Sequence, residues 1–537
     1  MKNEFNRSNR SKSDSSDTQN TMAAPPCQCT HCRKNHRLVA FGLDLAHRRQ
    51  FAKQIEKTLG SFIRWIRVFS METLLPALEE CFLFLTRVVE AIAEALQTKD
   101  NSYNASFEPA TEVLSSSNHG FVVDGRSGRL SKKDSCRNLL IISPTGGGKS
   151  QTVALPILLE TDSSFCVSDT SGELYNAVSG DMESRGYKVI RINFSDPSVS
   201  SFYNPLAHCE PNDCYKIADT LVRATTPKSN DSFWIQSATG LIALVCSALM
   251  FGDRKYCHFA NVRRVIQMLS SDPKAVDELM AKTNNQIITD YKSFLATEDK
   301  VRMNVQSSAL ASLLAFAMPS VALVTSQDEI NWRELRTSKV AVFLNCNTSD
   351  TKFFSPLISI FFLQLSRFLM SKIPDPKNDN YVFLILDEFA SLHAIPDFDL
   401  LVSNCRKYLS GSALFVQSLS QVYTCYSSEV AQTIIANCYS RLFFGGGLPH
   451  ATAVSLSAEL GKFEYEDEKG RRVKELMTPD AIRLLPSNKA IFLCGNYKPA
   501  LLTLTPAYKH PYFKRRMGKP LKKAHGIPEE IEVPYTS

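Results

Sequence analysis

The chain has 537 residues, 44% of them hydrophobic and 21% charged, a balance that excludes a disordered or fibrous polymer and leaves room for one large domain plus a substantial insertion or a second domain. Net charge is +7 and unevenly placed, because residues 1–70 hold 13 Lys/Arg against 5 Asp/Glu. Such a basic arm reads as a contact for polyanions or an anionic surface, or as a solvated tail. The 15 cysteines are dispersed in apolar segments, such as Cys166, Cys246 and Cys494. That excludes a small disulfide framework and points to reduced thiols in a cytosolic compartment.

Residues 1–26 are rich in Ser, Asn, Thr and Lys/Arg and are expected to be disordered; with no apolar core at the start, no secretory signal is read. Cys27, Cys29, Cys32 and His36 follow within ten residues. Thiolate and imidazole at this spacing could hold Zn²⁺ tetrahedrally, but structural zinc sites usually pair two separated knuckles, so a plain reduced Cys/His tract is the alternative. The disordered arm with this tract is placed at 1–45. Residues 46–97 read as two amphipathic helices broken near Ser70 and Met71, and the first is crowded with Arg48, Arg49, Lys53, Lys57, Arg64 and Arg67. A basic amphipathic helix lies on a membrane or packs on a partner; ordinary packing within the chain is the competing reading. A polar linker completes this region, 46–119.

From residue 120 the pattern becomes α/β. Gly120 to Leu130 reads as a short hairpin. Leu139 to Ile142 is a run of four aliphatics, the signature of a strand buried on both faces. Then come Gly146, Gly147, Gly148, Lys149 and Ser150, followed by aliphatics at helical spacing. Strand, glycine loop, Lys-Ser and helix form a phosphate-binding loop: glycines let backbone N–H groups approach phosphates, and the helix N-terminus faces the anion. Thr145 to Gln151 are the predicted nucleotide contacts, with Lys149 reaching the β and γ phosphates and the Ser150 hydroxyl on Mg²⁺. Pro156 should kink the following helix. Phe165 to Ser168 reads as a second strand, ending at Asp169, which is either a ligand group at a strand end or a helix cap. Val189 to Phe194 is a third.

Residues 210–335 change character. Strand signals stop, and amphipathic segments run over 213–225, 232–251, 260–270, 273–296 and 300–316, an all-α insertion between two parts of an α/β domain (120–209 and 336–508). Two uncharged windows, Ser232 to Gly252 and Met303 to Gln327, carry enough Ser, Thr, Asn and Gln to read as buried helices rather than membrane spans. Strands return at Val340 to Leu344 and Tyr381 to Leu386. The latter leads into Asp387 and Glu388. An aspartate at the tip of a central strand suits the Walker B position, holding Mg²⁺ through water, and Glu388 would polarise the attacking water. Ala413 to Val416 is a further strand ending at Gln417, placed to sense a γ-phosphate or orient water, or simply a surface amide opening a helix. Arg406 closes the helix after Walker B, as a finger for a neighbouring subunit's nucleotide or as a C-terminal cap. Strands at Arg441 to Phe444 and Ala490 to Leu493 follow. Lys509 to Lys523 carries seven Lys/Arg and no acid. Within the basic C-terminal segment, 509–537, it reads as a frayed tail, with nucleic-acid contact through interleaved Tyr508, Tyr512 and Phe513 as the alternative.

With these motifs in order, the chain resembles the coupling proteins of type IV secretion and conjugative DNA transfer over about residues 120–515. The likeness rests on linked segments: SPTGGGKS, SDTSGELYNAVSG, YKVIRINFSDP, FYNPL, FWIQSATGLI, FLILDEFASL, CRKYLSGSALFVQSLSQ and NCYSRLFFGG. The resemblance implies a RecA-like P-loop NTPase domain carrying an all-α domain. It implies a homo-hexamer at the cytoplasmic face of the inner membrane that hydrolyses ATP with Mg²⁺ to move single-stranded DNA, or a DNA–relaxase substrate, into the secretion channel. By that likeness Lys149 and Ser150 match Walker A, Asp387 and Glu388 match Walker B, and Arg406 matches an inter-subunit arginine. Three departures stand out. Ser143 replaces the first Walker glycine. Asp-Thr-Ser-Gly-Glu replaces the usual Asp-Pro-Lys-Gly-Glu. The helices at 46–97 are too charged to span a membrane, so attachment there would be peripheral or through a partner. The competing functions are a docking receptor that uses nucleotide only to assemble, and a chromosome-segregation translocase.

Overall fold

The computed structural model describes residues 103–226, 231–346, 349–468, 470–521, 526–528 and 530–536. The Cys27, Cys29, Cys32 and His36 tract and the helices read over 46–97 lie outside the described residues.

A nine-stranded sheet organises these residues, in the order β11-β10-β7-β1-β6-β5-β2-β4-β3. Its strands are β1 (Leu139–Ile142), β2 (Ser164–Asp169), β3 (Lys188–Asn193), β4 (Val340–Asn345), β5 (Val382–Leu386), β6 (Ser410–Val416), β7 (Ser440–Phe444), β10 (Lys489–Cys494) and β11 (Ala500–Thr503). The seven from β7 to β3 run parallel, and β10 pairs antiparallel with both β7 and β11. Two further strands, β8 (Lys462–Asp467) and β9 (Gly470–Glu475), form a separate hairpin.

The central strands are buried along their whole length, so they read as continuous aliphatic runs. Alternate residues nevertheless serve different cores. Leu140, Ile142, Leu384, Leu386, Leu414 and Val416 face one side, while Leu139, Ile141, Phe383, Ile385, Ala413 and Phe415 face the other.

Between β3 and β4 the chain is helical, with helices at Cys214–Thr225, Ser232–Leu249, Phe259–Ser271, Pro273–Ala281, Asn285–Leu295 and Asp299–Ser312. The segment read as one helix over 273–296 is two, because the chain turns at Lys282 and Thr283 and Asn284 caps the next helix through its side chain. These helices share a continuous core with one face of the sheet and with the long helix Thr351–Ser371. The FYNPL segment is the staple. Tyr203 is fully buried and its hydroxyl donates to Gln364 Oε1 at 2.7 Å, and Gln364 Nε2 donates to the Pro205 carbonyl at 2.7 Å. Asn204 Nδ2 donates to the Cys257 carbonyl at 2.9 Å. Two helices, Ser232–Leu249 and Thr351–Ser371, are long and apolar enough to cross a membrane, and both are largely buried inside the fold.

The frayed C-terminal tail is corrected over its described part. Residues Pro511–Arg516 form a short helix with Phe513 fully buried. Arg516 donates to Asp181 through Nε (2.9 Å) and Nη2 (2.7 Å), to Glu160 at 3.0 Å, and to the Leu159 carbonyl. The sequence showed a run of cations but not the acids on other elements that hold one of them. Beyond, Ile527 is buried, and the Pro534 carbonyl is bonded by His258 Nε2 (2.9 Å) and Asn261 Nδ2 (3.0 Å) in the helical segment.

Candidate nucleotide site

The phosphate-loop residues sit where β1 ends. Ser143 continues the ladder, its N–H donating to the Val416 carbonyl of β6 at 3.0 Å. The chain then turns sharply: Gly147 N–H bonds the Pro144 carbonyl at 3.0 Å, with Gly146 and Gly148 at φ +72° and +80°. Those two angles explain the glycines at 146 and 148. Gly147 is needed for a different reason. A Cβ there would lie 2.3 Å from Ser143 Oγ, so the serine in the first Walker position fills the space beneath the loop. Above Gly146 nothing lies within 4 Å of an added Cβ, which leaves the backbone open for an approaching anion.

The helix that follows is not a regular α-helix up to Pro156. Residues Ser150–Ala154 instead form a π turn, in which the Leu155 N–H bonds the Ser150 carbonyl, and Pro156 then sits in the first turn of the α-helix Leu155–Glu160. A π turn just ahead of a proline lets the helix continue past a residue that has no N–H to donate.

Parallel β5 delivers Asp387 to the same edge of the sheet. Ser150 Oγ donates to Asp387 Oδ2 at 3.0 Å, across 237 positions of sequence. Asp387 is 9% exposed, and burial raises its carboxyl to about 6 against the partial relief given by Lys149 and Ser150. Glu388 and Asp169 add to the rise by repulsion. Glu388 is half-buried, in the left-handed region at φ +51°, and opens a short 3-10 helix, Phe389–Leu392. Such a backbone in a non-glycine residue costs ~1–3 kcal/mol and persists only where surrounding packing imposes it.

Gln417 closes the group from the end of β6. Its Oε1 accepts from Thr145 Oγ1 at 3.0 Å, and its N–H is held by Gln421 Oε1 at 2.8 Å. Gln151 Nε2 reaches Glu173 Oε1 at 3.3 Å. Asp169, the last residue of β2, caps a helix: Oδ2 accepts from the Tyr175 N–H at 2.7 Å. Its Oδ1 has no hydrogen-bond partner among the described residues, and burial raises its pKa. The sequence left ligand and cap as alternatives for Asp169, and the cap is what the side chain does here.

Thr145, Gly146, Gly147, Gly148, Lys149, Ser150, Gln151, Asp387, Glu388 and Gln417 therefore converge. Arg406 does not join them. It is exposed in the 3-10 turn Cys405–Tyr408, which enters β6 at its amino end. The phosphate loop meets the carboxyl end of that seven-residue strand, roughly 20 Å away at the rise of a strand. The turn is held by Arg336, which sequence reasoning missed. Its guanidinium donates to the carbonyls of Asn380, Tyr408 and Leu409, and burial lowers its pKa to about 10.

Two hard oxygen donors 3.0 Å apart, one of them a buried carboxylate short of compensating charge, suit Mg²⁺. No group of three or more His, Cys, Asp or Glu among the described residues is placed to hold a metal by itself.

Residues 91–529 match the family described as type IV secretory system conjugative DNA transfer. The chain belongs to that family. It is 22% identical to protein VirD4 of Agrobacterium fabrum over 412 residues, covering 70% of this chain and 59% of that one. It is also 22% identical to the conjugal transfer protein TraG of Escherichia coli over 446 residues, covering 72% of this chain and 69% of TraG. The chain thus spans little more than half the length of VirD4. Among solved structures, the conjugative coupling protein TrwBΔN70 with sulphate superposes at a TM-score of 0.58 with 18% identity, over 75% of this chain and 94% of that one. TrwB in complex with ADP and Mg²⁺ gives 0.57, again at 18% identity, over 75% of this chain and 94% of that one. The fold of this family member is RecA-like, with an all-α domain set into it.

Proposed function

We propose that this family member is an ATP-hydrolysing motor that couples a single-stranded DNA or DNA–relaxase substrate to a type IV secretion channel. The observation that carries the reading is the Ser150–Asp387 hydrogen bond, which joins a glycine loop and a strand-end acid at one sheet edge. That arrangement suits a triphosphate and its metal and has no evident role in packing. The TrwB complex with ADP and Mg²⁺ supports the nucleotide assignment by likeness of fold.

In this reading the loop amides from Thr145 to Gln151 bind the phosphates, and Lys149 neutralises the β and γ groups. Ser150 and Asp387 would hold Mg²⁺, which would supply charge neutralisation at the phosphoryl being transferred. Asp387, with its pKa near 6, is ionised at neutral pH and ready for that cation. Glu388 takes the proton of the attacking water. Gln417, tied to Thr145, orients that water or registers the γ-phosphate. Arg406 is too far to serve its own nucleotide. It is exposed and makes no ion pair among the described residues, so it serves a neighbour's site in a hexameric ring. The motor works at the cytoplasmic face of the inner membrane.

The test is steady-state turnover of ATP with and without single-stranded DNA. Lys149→Ala should abolish turnover, and unchanged turnover would remove the motor assignment. Glu388→Gln separates motor from docking receptor: a motor keeps its nucleotide and stops delivering substrate, whereas a receptor goes on delivering it.

A further inference from the structure

A cleft of about 840 Å³ lies between the helical segment and the sheet domain, within the ~300–1,000 Å³ range of ligand-binding clefts. None of its lining residues belongs to the phosphate loop. One wall is the helix Cys214–Thr225, with Tyr215, Lys216 and Arg223 on its cleft side. The opposite wall is the start of the helix Thr351–Ser371, with Lys352 and Phe353, and the floor is the chain from His393 to Asp397.

Two features set this surface apart. Tyr215 is 51% and Phe353 40% exposed, large rings that the fold has left uncovered on facing walls. Around them Lys216 and Lys352 are exposed and form no ion pair among the described residues, and the Arg223 side chain is 62% exposed while its Nε pairs with Asp219. Aromatic faces set among cations on a concave surface match a strand of unpaired bases: rings stack on bases and ammonium groups follow the phosphates. An apolar peptide would leave the lysines unanswered, and a duplex would not offer its base faces.

The floor of the cleft is also the continuation of Walker B. From Glu388 the chain passes through Phe389–Leu392 to His393 and Asp397, and three of these residues hold positive φ: Glu388 +51°, His393 +58° and Asp397 +54°. Packing imposes the conformation: Phe389 lies against Phe398 (5.0 Å between centroids) and Tyr426 (5.8 Å), and Tyr426 Oη accepts from the Ile395 N–H at 3.1 Å. This strained stretch runs unbroken from the cleft floor to the carboxylate of Glu388, so it is the element through which the two can be coupled.

We propose that this cleft binds a segment of single-stranded nucleic acid by stacking on Tyr215 and Phe353, and that its occupancy is relayed to Glu388 through the strained segment from Glu388 to Asp397. The inference rests on the reading of the chain as a DNA-stimulated ATPase and adds to it the surface that senses the strand.

The test uses the full chain, a fluorescein-labelled oligothymidylate and ATP turnover with and without that oligomer. Tyr215→Ala/Phe353→Ala should bind at least about fivefold more weakly per ring lost, keep its basal turnover and lose stimulation. Tyr215→Phe/Phe353→Trp should restore both. Lys216→Glu/Lys352→Glu should weaken binding and flatten its salt dependence. If the wild type binds and responds but the aromatic pair does so within twofold, the cleft assignment is overturned and the motor reading stands. If the wild type neither binds nor responds, the nucleic-acid reading falls as well. Should the variants fail to fold, cross-linking of a 5-iodouracil oligomer to the wild type decides the question: adducts on peptides bearing Tyr215 or Phe353 support the cleft, and adducts confined to other peptides overturn it.

Discussion

Replacing Asp387 with asparagine should make the nucleotide-free protein more stable while removing its use for Mg²⁺. The carboxyl is 9% exposed, and burial lifts its pKa from 3.8 to about 6. A raised folded-state pKa means that the folded protein holds this proton more tightly than the unfolded chain. Stability from the group is therefore fully present below about pH 4, where both states are protonated. It is lost as pH rises through about 6, where the folded carboxyl finally ionises. The loss is about 2 pKa units, or ~3 kcal/mol at neutral pH. Asparagine never ionises, and its side-chain oxygen can still accept from the Glu388 N–H, which lies 3.2 Å from Asp387 Oδ1. Urea unfolding of wild type and Asp387→Asn, without nucleotide or divalent cation, should show a stability gap in favour of the variant. That gap should open above about pH 4 and level off above about pH 6 at up to ~3 kcal/mol. Adding Mg²⁺ and a non-hydrolysable ATP analogue should reverse the order by stabilising the wild type much more than the variant. A variant less stable than wild type at pH 8, or a gap that does not change with pH, would refute the reasoning.

Other outcomes follow from single contacts. Gly147→Ala should weaken nucleotide binding, because its Cβ would lie 2.3 Å from Ser143 Oγ. Overpacking of this kind costs ~1–3 kcal/mol, and adding Ser143→Gly should restore part of the affinity measured by calorimetry. Glu388→Gln should lower turnover by roughly 10²-fold or more with nucleotide affinity kept, as read from single-turnover kinetics and equilibrium binding. Arg516→Ala should destabilise the chain by about 2 kcal/mol in urea unfolding, below the ~3–5 expected for breaking a buried pair, because Arg185 stays on Asp181 (3.0 Å) and Arg129 on Glu160 (2.7 Å). Its nucleotide affinity should not change. Arg406→Ala should leave ATP binding intact and reduce turnover only at protein concentrations where subunits associate, which a concentration series with wild type and variant checks.

The central strands and the two segments that meet at the candidate nucleotide site were legible because local pattern and long-range role agree there. Leu139–Ile142 and Val382–Leu386 are aliphatic runs since both faces are buried, and glycines 146 and 148 are fixed by their positive φ. What escaped was set by distant partners. The hairpin β8–β9 is mostly charged, with Phe463, Tyr465 and Val473 its only large apolar side chains and no residue fully buried, so its strands gave little apolar signal. β11 is four residues long and paired on one side only. Pro156 signals an irregular helix, but nothing local reveals that the irregularity is a π turn ahead of it. Arg336 looked like any surface cation, and only the fold shows that it closes the Cys405–Ser410 turn. Arg406 reads from the sequence as a finger for a neighbouring subunit or as a helix cap, and its exposed place in the turn before β6 keeps it away from the phosphate loop of its own chain.

The central claim is that Ser150 and Asp387 act as one binding unit for the metal of a bound triphosphate. A double-mutant cycle measures this most directly, using calorimetric titration of ATP with and without Mg²⁺ into wild type, Ser150→Ala, Asp387→Asn and the double variant. Either single substitution should abolish most of the affinity gained from Mg²⁺, and the double should lose little more. Independent, additive losses, or an affinity that Mg²⁺ never improves in the wild type, would contradict the account.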